Sequence, residues 1–391
     1  MDTSAGLISA ALVDAAVVEE ATRRTWAEVD LDALAGNVAA VRAILRPGCA
    51  LMAVVKADAY GHGVVPVARA ALDAGASWLG VATVREGVAL RRAGVTAPVL
   101  VLGAWDPAEL MDAARWNLQL TIASAEGLEA VLRAAPPVGL HLKVDTGMTR
   151  LGLRPGEVVP ALDRLAAAGA VVSGCYTHLA TADDADPSAA VEQLRRFEAV
   201  LPEVRARFPR AVAHAANSAA ALAFPHAHYD LVRIGLALYG LPPAPHLAGL
   251  ALRPVLRLRS RVVRVARVSA GTSVSYGARY RARRETTIAT VACGYADGYP
   301  RRAGEGGQVW MGGRRVPVAG TVCMDYLMAD LGDGPAAVGE VVDLLGEQVR
   351  ADEVAARAGT VAYEVLCGIG PRVPRVYLRG GRPVQVDLRD V

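Results

Sequence analysis

Between residues 51 and 234 the chain alternates short apolar runs with longer segments of helical pattern. The apolar runs are near-continuous, as expected for parallel strands that are buried on both faces. Eight of them within roughly 200 residues predict an α/β fold with a parallel (β/α)8 TIM-type barrel. The predicted strands are 51–56, 78–82, 99–102, 118–122, 139–144, 173–177, 212–215 and 231–234. The predicted helices between them include 64–74, 84–93, 106–115, 125–134, 157–168 and 188–207.

The alternation stops near residue 241, where four prolines up to Pro254 predict a stiff linker. Beyond the linker the apolar runs are short and separated by turns, which predicts a mostly antiparallel β domain. Its predicted strands are 255–268, 286–292, 308–311, 315–319 and 341–345. A further short strand is predicted at 25–30. The predicted division is an N-terminal extension (1–24), the barrel (25–248) and the C-terminal β domain (249–391).

Composition narrows the classes of partner. The net charge is only +3 and the arginines are scattered among acids, which gives no reason to expect nucleic acid or a membrane surface. Five cysteines without a CxxC pair argue against a disulfide framework or a zinc site and favour a cytoplasmic location. The apolar stretch 7–18 contains Asp14 and follows no basic segment. We therefore predict a short helix there, neither a signal peptide nor a membrane span.

Polar residues gather at the ends of five predicted strands. The first strand ends at Lys56, and the segments 143–150, 177–178, 214–218 and 233–240 follow or end later ones. Carboxyl ends of parallel strands meet at the same mouth of a barrel, where the sites of such folds are built. The sequence therefore predicts a functional site at that mouth.

Lysine is scarce in this chain. Only Lys56 and Lys143 are lysines among 42 basic residues, and the other 40 are arginines. A lysine that remains in such a composition is a candidate for amine chemistry, which a guanidinium cannot perform. At the end of a buried strand Lys56 would be desolvated, which lowers an amine's pKa and favours imine formation with an aldehyde cofactor. The alternative is an ordinary lysine whose head reaches solvent.

The motifs together resemble those of the alanine racemases, pyridoxal-phosphate enzymes built from a barrel and a β domain. The resemblance runs from about residue 25 to the C-terminus and leaves residues 1–24 outside. The ordered set is more specific than any single member. It comprises VVKADAYGHG, KVDTGMTRLG, Thr177-His178, HAANS, RIGLALYG, SYG, GYADGYPR and VCMD.

The resemblance implies two catalytic bases and an electronic partner for the cofactor. Lys56 would hold pyridoxal 5'-phosphate as an imine and act as one base, with Tyr276 as the other on the opposite face of the substrate Cα. His178 would contact the tyrosine. Arg233 would donate to the pyridine nitrogen, because an arginine stays protonated, and His214 would orient Arg233.

The remaining implied roles concern the phosphate and the substrate. Residues matching the phosphate site are Tyr60, Asn217 (in a supporting role), Ser218, the amides of Gly235 and Leu236, and Tyr363. Arg150 and the amide of Met324 would bind the substrate carboxylate. Supporting positions are Lys143, which family members often carry as a carbamate that holds this arginine, His214, Asp325, and Tyr295 and Asp183 at the substrate entrance.

The resemblance implies that the chain interconverts L-alanine and D-alanine for peptidoglycan, as a homodimer whose sites combine residues of both copies. Three alternatives remain open. A broader amino-acid racemase differs only in pocket size, which discriminates weakly. A decarboxylase of basic amino acids shares the fold but generally pairs the pyridine nitrogen with a carboxylate, so Arg233 argues against it. A non-catalytic pyridoxal-phosphate carrier is typically a lone barrel, so the second domain argues against it.

Overall fold

Residues 13–389 are described by the computed structural model, which divides the chain into two units. The barrel unit comprises residues 33–253, and the β unit comprises residues 13–32 and 254–389. The chain enters through helix α1 (Ala15–Ala21), strand β1 (Thr25–Asp30) and helix α2 (Leu31–Ile44). Asp14 caps α1 by accepting the Ala16 N–H. Residues 1–12, which are half of the predicted N-terminal extension and include the first half of its apolar stretch, lie outside the described residues.

Eight parallel strands form the barrel unit, in the order β8-β7-β6-β5-β4-β3-β2-β9. Hydrogen bonds from Asp230 N–H to Ala213 O (3.1 Å) and from Arg233 N–H to Ala216 O (2.9 Å) connect the two outer strands. The predicted (β/α)8 fold is therefore confirmed. Its strands are β2 (Ala50–Val54), β3 (Trp78–Val81), β4 (Val99–Val101), β5 (Gln119–Ile122), β6 (Leu140–Lys143), β7 (Val172–Tyr176), β8 (Val212–His214) and β9 (Leu231–Ile234).

Helices follow the strands as the pattern predicted. They are α3 (Lys56–Tyr60), α4 (Val64–Asp73), α5 (Val84–Arg92), α6 (Leu110–Arg115), α7 (Ala125–Ala134), α8 (Pro155–Ala167), α9 (Ser188–Glu198), α10 (Leu201–Arg207) and α11 (Ser218–Ala223). The single helix predicted at 188–207 is instead two, α9 and α10. Pro202 lies in the first turn of α10, where its missing N–H costs nothing but where it cannot continue a preceding helix.

The barrel interior has an apolar side and a polar side. Met52, Leu100 and Leu231 form one buried apolar cluster, on β2, β4 and β9. On β6, β7 and β8 the buried side chains include His141, Tyr176 and His214. Buried polar groups are stable only when they are hydrogen-bonded, so this side must contain an ordered network.

The β unit contains a nine-stranded sheet in the described residues, ordered β15-β14-β17-β10-β1-β18-β19, with β13 beside β10 and β16 beside β13. Most neighbours are antiparallel, as predicted, and β1 and β18 are parallel. The elements are β10 (Leu256–Val268), β11 (Ser273–Val274), β12 (Tyr280–Arg281), β13 (Thr286–Val291), β14 (Gln308–Met311), β15 (Arg314–Pro317), β16 (Leu327–Gly332), β17 (Val341–Leu345), α12 (Ala351–Ala358), α13 (Ala362–Cys367), β18 (Arg375–Arg379) and β19 (Arg382–Asp387).

The first strand differs from its predicted assignment. Residues 25–30 were predicted as the start of the barrel, but β1 pairs with β10 and β18 of the β unit. The Thr25 hydroxyl also bonds to Ser260 Oγ at 3.0 Å and to Ala292 O at 2.5 Å. The described boundaries at 32/33 and 253/254 thus replace the predicted 24/25 and 248/249. None of the helices in residues 13–389 is both long and apolar enough to cross a membrane.

Candidate active site

Lys56 follows β2 and begins a helical turn of unusual hand. Residues Ala57, Asp58 and Ala59 have φ values of 50°, 53° and 54°, in the left-handed region. For residues other than glycine this conformation costs about 1–2 kcal/mol each. Lys56 itself is half-buried, although its predicted place at the end of a buried strand implied fuller burial. Backbone strain of this kind persists only where surrounding contacts hold it, and it is concentrated at functional sites.

Two carboxylates hold this turn. Glu86 Oε1 accepts the Ala57 N–H at 2.8 Å, and Glu86 Oε2 accepts the Ala82 N–H at 2.6 Å. Asp58 Oδ1 accepts the Val64 N–H at 2.8 Å. Glu86 therefore ties the residue after Lys56 to the end of β3. The sequence analysis missed Glu86, although its capping-box spacing from Thr83 was an available signal.

Arg233, on β9, is 3% exposed and donates to four acceptors inside the barrel unit. Its Nη2 donates to Thr177 O at 2.8 Å, to Ala215 O at 3.0 Å and to His178 Nδ1 at 3.2 Å. Its Nη1 donates to His214 Nδ1 at 3.1 Å. Burial lowers the pKa of Arg233 to about 10, so the guanidinium stays protonated at neutral pH. Its Nε–H has no acceptor among residues 13–389 and is therefore available to a ligand.

Arg233 also controls the charge of the histidines around it. Burial and the Arg233 charge lower the pKa of His178 to about 2 and the pKa of His141 to about 3. The same causes lower the pKa of His214 well below its ordinary value. All three rings are therefore neutral near pH 7. Since arginine only donates, Nδ1 of His178 and of His214 must accept, and the ring hydrogen of each lies on Nε2.

Tyr176, which the sequence analysis did not single out, packs against these charged groups. Its ring stacks on His214 with centroids 4.7 Å apart and an interplanar angle of 11°. The ring centroid lies 5.1 Å from the Arg233 guanidinium carbon and 5.5 Å from Lys143 Nζ. Its hydroxyl bonds to Thr121 Oγ1 at 2.9 Å, and burial raises its pKa to about 12. A neutral aromatic face beside two cations partly compensates for their burial.

Lys143 ends β6 and is 5% exposed. Burial, followed by the charges of Arg150 and Arg233, lowers its pKa to about 8. Arg150 is exposed and makes no hydrogen bond within residues 13–389. Its effect on Lys143 shows that the two cations are close enough to interact. Asp183 is exposed in the segment after β7.

Ser218, Gly235 and Tyr60 meet at one end of the barrel unit. Ser218 Oγ accepts the N–H groups of Gly235 at 3.0 Å and of Ala237 at 3.4 Å. A Cβ atom at Gly235 would lie 2.8 Å from the Tyr60 hydroxyl, so this approach requires glycine. Leu236 lies between the two amides and begins a 3-10 turn. A cluster of backbone amides and hydroxyl groups of this kind suits an anion.

Two neighbours support this cluster. Asn217 Oδ1 accepts the Ala220 N–H at 2.9 Å and caps α11, so its side chain serves the helix. Tyr239 packs on the Tyr60 ring with centroids 4.7 Å apart and donates its hydroxyl to Val54 O at 2.9 Å. The Tyr60 ring is thereby fixed on one face by a second aromatic ring.

Tyr276 lies in the β unit and is 72% exposed. Its carbonyl accepts a hydrogen bond from Thr321 Oγ1 at 3.1 Å. The preceding Ser275 has a φ of 66° and donates its hydroxyl to Thr321 O at 2.5 Å. These bonds fix the main chain of the turn and leave the phenol ring exposed.

Met324 and Tyr295 lie on adjoining loops of the same unit. The carbonyls of Cys323 and Met324 accept the N–H groups of Tyr295 and Ala296, each at 3.0 Å. A Cβ atom at Gly294 would lie 2.3 Å from both carbonyl oxygens, so the two loops can approach only at glycine. The exposed fractions are 53% for Met324 and 42% for Tyr295.

Asp325 and Tyr363 complete the predicted set in the β unit. Arg372 bridges two carboxylates, Asp325 Oδ1 at 2.7 Å and Asp297 Oδ1 at 2.8 Å. Arg24 donates to the Asp325 carbonyl at 2.9 Å. Asp325 thus holds its loop in place. Tyr363 is 39% exposed and lies on α13.

The predicted site residues fall into two groups, one in each unit. The Lys56 charge contributes to the lowered pKa values of His178 and Lys143, which places Lys56 among the polar residues of the barrel unit. The barrel unit contains Lys56, Tyr60, Lys143, Arg150, His178, Asp183, His214, Asn217, Ser218, Arg233, Gly235 and Leu236. The β unit contains Tyr276, Tyr295, Met324, Asp325 and Tyr363.

Comparison with known proteins gives one consistent family. The models of the alanine racemase N-terminal domain and C-terminal domain match residues 29–243 and 255–377. The alanine racemase of Symbiobacterium thermophilum is 48% identical, covering 91% of this chain and 97% of its own length. That of Nostoc sp. is 46% identical, covering 91% and 96%. Among solved structures, the alanine racemase from Bacillus anthracis has a TM-score of 0.87 at 39% identity, covering 93% and 97%. The alanine racemase of Clostridium difficile 630 has a TM-score of 0.88 at 34% identity, covering 93% and 98%.

Proposed function

Because this chain belongs to the alanine racemase family, we propose that it interconverts L-alanine and D-alanine with pyridoxal 5'-phosphate as cofactor, supplying D-alanine for peptidoglycan. The observation that carries the proposal is the setting of Arg233, a buried cation with four acceptors in the barrel unit and an Nε–H that has no acceptor within residues 13–389. A decarboxylase of the same fold would be expected to present a carboxylate there. The five cysteines are compatible with the cytoplasmic location, which stays a prediction.

The residues of the barrel unit fit the cofactor. Lys56 supplies a primary amine for the aldehyde, and the hydroxyl groups of Ser218 and Tyr60 with the main chain at Gly235 are the groups that would hold the phosphate. The unused Arg233 Nε–H suits an aromatic nitrogen that accepts a hydrogen bond. When bound, pyridoxal phosphate withdraws electrons from the amino acid attached to it and acidifies its Cα–H.

Racemisation requires a proton to leave one face of Cα and return on the other. We assign these transfers to the Lys56 amine and to the Tyr276 hydroxyl. The His178 ring hydrogen lies on Nε2, since Nδ1 accepts from Arg233, so His178 can donate to a phenolate oxygen and stabilise it. Arg150, which is exposed and makes no hydrogen bond within residues 13–389, would bind the substrate carboxylate together with the Met324 amide.

We propose a homodimer in which Lys56, Arg150 and Arg233 of one copy meet Tyr276 and Met324 of the partner subunit. Support comes from the contrast in exposure, since Tyr276 is 72% and Met324 is 53% exposed while Arg233 is buried. A closed dimer with twofold symmetry would form two equivalent sites.

Lys143 has the chemistry that carbamate formation needs. Its pKa of about 8 leaves part of the amine unprotonated near neutral pH, and only the neutral amine attacks carbon dioxide. The attack forms an N–C bond and releases one proton from the neutral amine. Counted from the ammonium form two protons leave, so a cation becomes an anion, which would pair with Arg150. The carbamate is part of our proposal. A mass measurement of the Lys143 peptide under carbon dioxide, after trapping by alkylation, would test it.

The proposal is tested by assaying purified holoprotein with a panel of L-amino and D-amino acids. Alanine should be racemised in both directions with the highest kcat/KM. Comparable rates with larger amino acids would establish a broad racemase, carbon dioxide release from basic amino acids would establish a decarboxylase, and cofactor binding without turnover would indicate a carrier.

The cofactor lysine has a separate test. Borohydride reduction of the holoprotein followed by peptide mapping should place the label on Lys56, and a chain with two lysines makes the assignment unambiguous. Lys143→Arg should keep the label and Lys56→Ala should lose it. A label on Lys143 would overturn the assignment.

A further inference from the structure

Behind Arg233 a line of three side chains runs through the polar side of the barrel interior. His214 Nε2 lies 2.9 Å from His141 Nδ1, and His141 Nε2 lies 2.8 Å from Gln119 Oε1. With the 3.1 Å bond between Arg233 and His214, four side chains form one unbroken series, which we call the buried chain: Arg233, His214, His141 and Gln119. These residues come from β9, β8, β6 and β5, and neither His141 nor Gln119 has a role in the proposed mechanism.

The hydrogen atoms of the buried chain have only one consistent order. Arg233 has donors and no acceptor, so His214 Nδ1 must accept and the His214 hydrogen lies on Nε2. That hydrogen is donated to His141 Nδ1, which places the His141 hydrogen on Nε2. The last hydrogen is donated to the carbonyl oxygen of the Gln119 amide. Every hydrogen therefore points away from Arg233.

The barrel leaves space for the buried chain at two glycines. A Cβ atom at Gly174, on β7, would lie 2.4 Å from His141 Nδ1. A Cβ atom at Gly139 would lie 3.1 Å from Gln119 Oε1. Neither glycine has a positive φ, so backbone conformation is not the reason for glycine at either position. The ring of His141 therefore occupies the space that the side chain of any residue other than glycine would fill at position 174.

Burial and charge agree with this order. His141 and His214 are fully buried, whereas Gln119 is partly exposed at the far end. In the part of the chain that the structure describes, neither ring bonds to a carboxylate. Burial and then the Arg233 charge lower the pKa values of both rings. A carboxylate at the end of the chain would stabilise an imidazolium, whereas an amide oxygen does not. Tyr176 stacks on His214, and the rings of Trp78 and His141 form a T-shaped pair with centroids 5.5 Å apart. Packing therefore restrains both histidine rings.

We infer that His141 and Gln119 are positioning residues for Arg233. Arg233 fixes the hydrogen order at one end, and the Gln119 oxygen completes it at the other by accepting the last hydrogen from His141. His214 then always accepts from Arg233, and the guanidinium is the one charged group of the buried chain. The inference rests on the proposed function only for what Arg233 does to a bound cofactor. The hydrogen order itself belongs to the fold and is measurable without turnover.

The direct test is the nitrogen NMR spectrum of the histidine rings in 15N-histidine-labelled holoprotein. The chain has seven histidines, and His141→Asn and His214→Asn identify the two signals of interest. Both rings should be neutral with hydrogen on Nε2. His228 is an internal reference, because it is buried and bonds to Ala221 O through Nε2 and to the Arg46 N–H through Nδ1. An Nδ1–H tautomer or an imidazolium at His141 or His214 would overturn the inference.

Gln119→Met tests the effect on Arg233, because it keeps most of the side-chain volume and removes the acceptor oxygen. Without the oxygen the His141 Nε2–H has no acceptor, so an order that gives up the Arg233–His214 bond can compete. We therefore expect the tautomers of His141 and His214 to become mixed, with His228 unchanged. Loss of one hydrogen bond should lower kcat for alanine about fivefold, with KM nearly constant because the carboxylate site is not altered. Gly174→Ala should have the same spectral effect, since its methyl group would displace the His141 ring.

Gln193→Met is the matched control. Gln193 is 4% exposed and bonds to Thr146, His178 O and the Ala180 N–H, outside the buried chain. It should lose stability while the tautomers of His141 and His214 stay as they were. If Gln119→Met lowers stability but leaves both the tautomers and kcat unchanged, Gln119 is merely structural and the inference fails. If the parental protein does not racemise alanine, the proposed function fails, and the spectra still decide the hydrogen order.

Discussion

The two groups of predicted site residues are held in opposite ways. In the barrel unit Arg233 is 3% exposed and its guanidinium has four acceptors from the same unit. In the β unit Tyr276 is 72% exposed, and the hydrogen bonds of its turn fix the main chain and not the phenol. The barrel residues are therefore preorganised by their own strands, whereas the β unit presents a ring on a fixed loop. This contrast is what a site shared between two copies of the chain would require.

The strongest test of the contrast mixes two inactive proteins. Lys56→Ala and Tyr276→Ala should each lower alanine racemisation at least about a thousandfold, because each lacks one of the two proton-transfer groups. After subunit exchange, half of the dimers are mixed and each has one intact site, so about a quarter of the parental activity should return. If mixed dimers form, as shown by native mass spectrometry, and activity does not return, each site is built within one chain.

Arg233→Glu should have the next largest effect. It replaces a donor with an acceptor and removes the charge that, after burial, lowers the pKa values of His178 and His214. It also permits protonation of the cofactor nitrogen. Racemisation should slow about a hundredfold, with a new absorbance band at longer wavelength than the parental cofactor band. Arg233→Lys is the control, since it keeps the charge but loses the planar set of donors. Parental rate and spectrum in the Glu variant would contradict the electronic role of Arg233.

Gly235→Ala tests how rigid the cluster of Ser218, Gly235 and Tyr60 is, to which we assign phosphate binding. The added methyl group would lie 2.8 Å from the Tyr60 hydroxyl and should displace it, weakening pyridoxal phosphate binding about thirtyfold. Gly36→Ala is the matched control, because nothing lies within 4 Å of the added atom and the residue is inside helix α2. It should raise the free energy of unfolding by about 0.5–1 kcal/mol and leave cofactor affinity unchanged. Equal affinities in the two variants would show that the cluster does not bind phosphate.

Lowering the pH should destabilise the barrel unit, because all seven histidines lie in residues 33–253 and the β unit has none. His141, His178 and His214 have lowered pKa values in the folded state, whereas an unfolded histidine titrates near pH 6.5. Below about pH 6.5 the unfolded state binds more protons, so stability is present above that pH and falls as the pH falls. The three together should lower the free energy of unfolding by about 4 kcal/mol between about pH 7.5 and 5.5.

Each of these histidines should account for about one third of that loss. His141→Asn should therefore reduce the acid-induced loss by about 1.4 kcal/mol, measured by urea unfolding at both pH values. His226→Asn is the control, since it makes the same substitution at an exposed histidine. An unaltered slope in His141→Asn would show that His141 is protonated in the folded protein.

Much of the barrel could be predicted from local pattern. Each of its eight strands was predicted to within two residues at either end, because parallel strands buried on both faces leave near-continuous apolar runs in the sequence. Strand β1 shows the limit of this reasoning. Its residues were predicted as a strand, but the pattern does not identify the partner, and β1 pairs with β10, which lies more than two hundred residues later.

The site divides in the same way. The scarcity of lysine singled out Lys56, and the motifs selected Arg233, His214 and Ser218 as candidates. The left-handed turn after Lys56 and its attachment to Glu86 were not predictable, because hydrophobic periodicity does not report the sign of φ. Tyr176 and Gly174 were missed for a related reason: an aromatic residue or a glycine in a buried strand is compatible with simple packing.

The sequence by itself determined the order of strands and helices, the residue types available at their ends and the family to which the motifs belong. Only the tertiary structure decided which of those residues touch. His141 bonds to a residue 73 positions away on one side and to another 22 positions away on the other. Hydrophobic periodicity reports on residues that are a few positions apart in the sequence. The register of parallel strands in a barrel instead brings residues that are distant in the sequence to the same height along the barrel axis. The order of hydrogen atoms in the buried chain depends on that register, so no local sequence pattern predicts it.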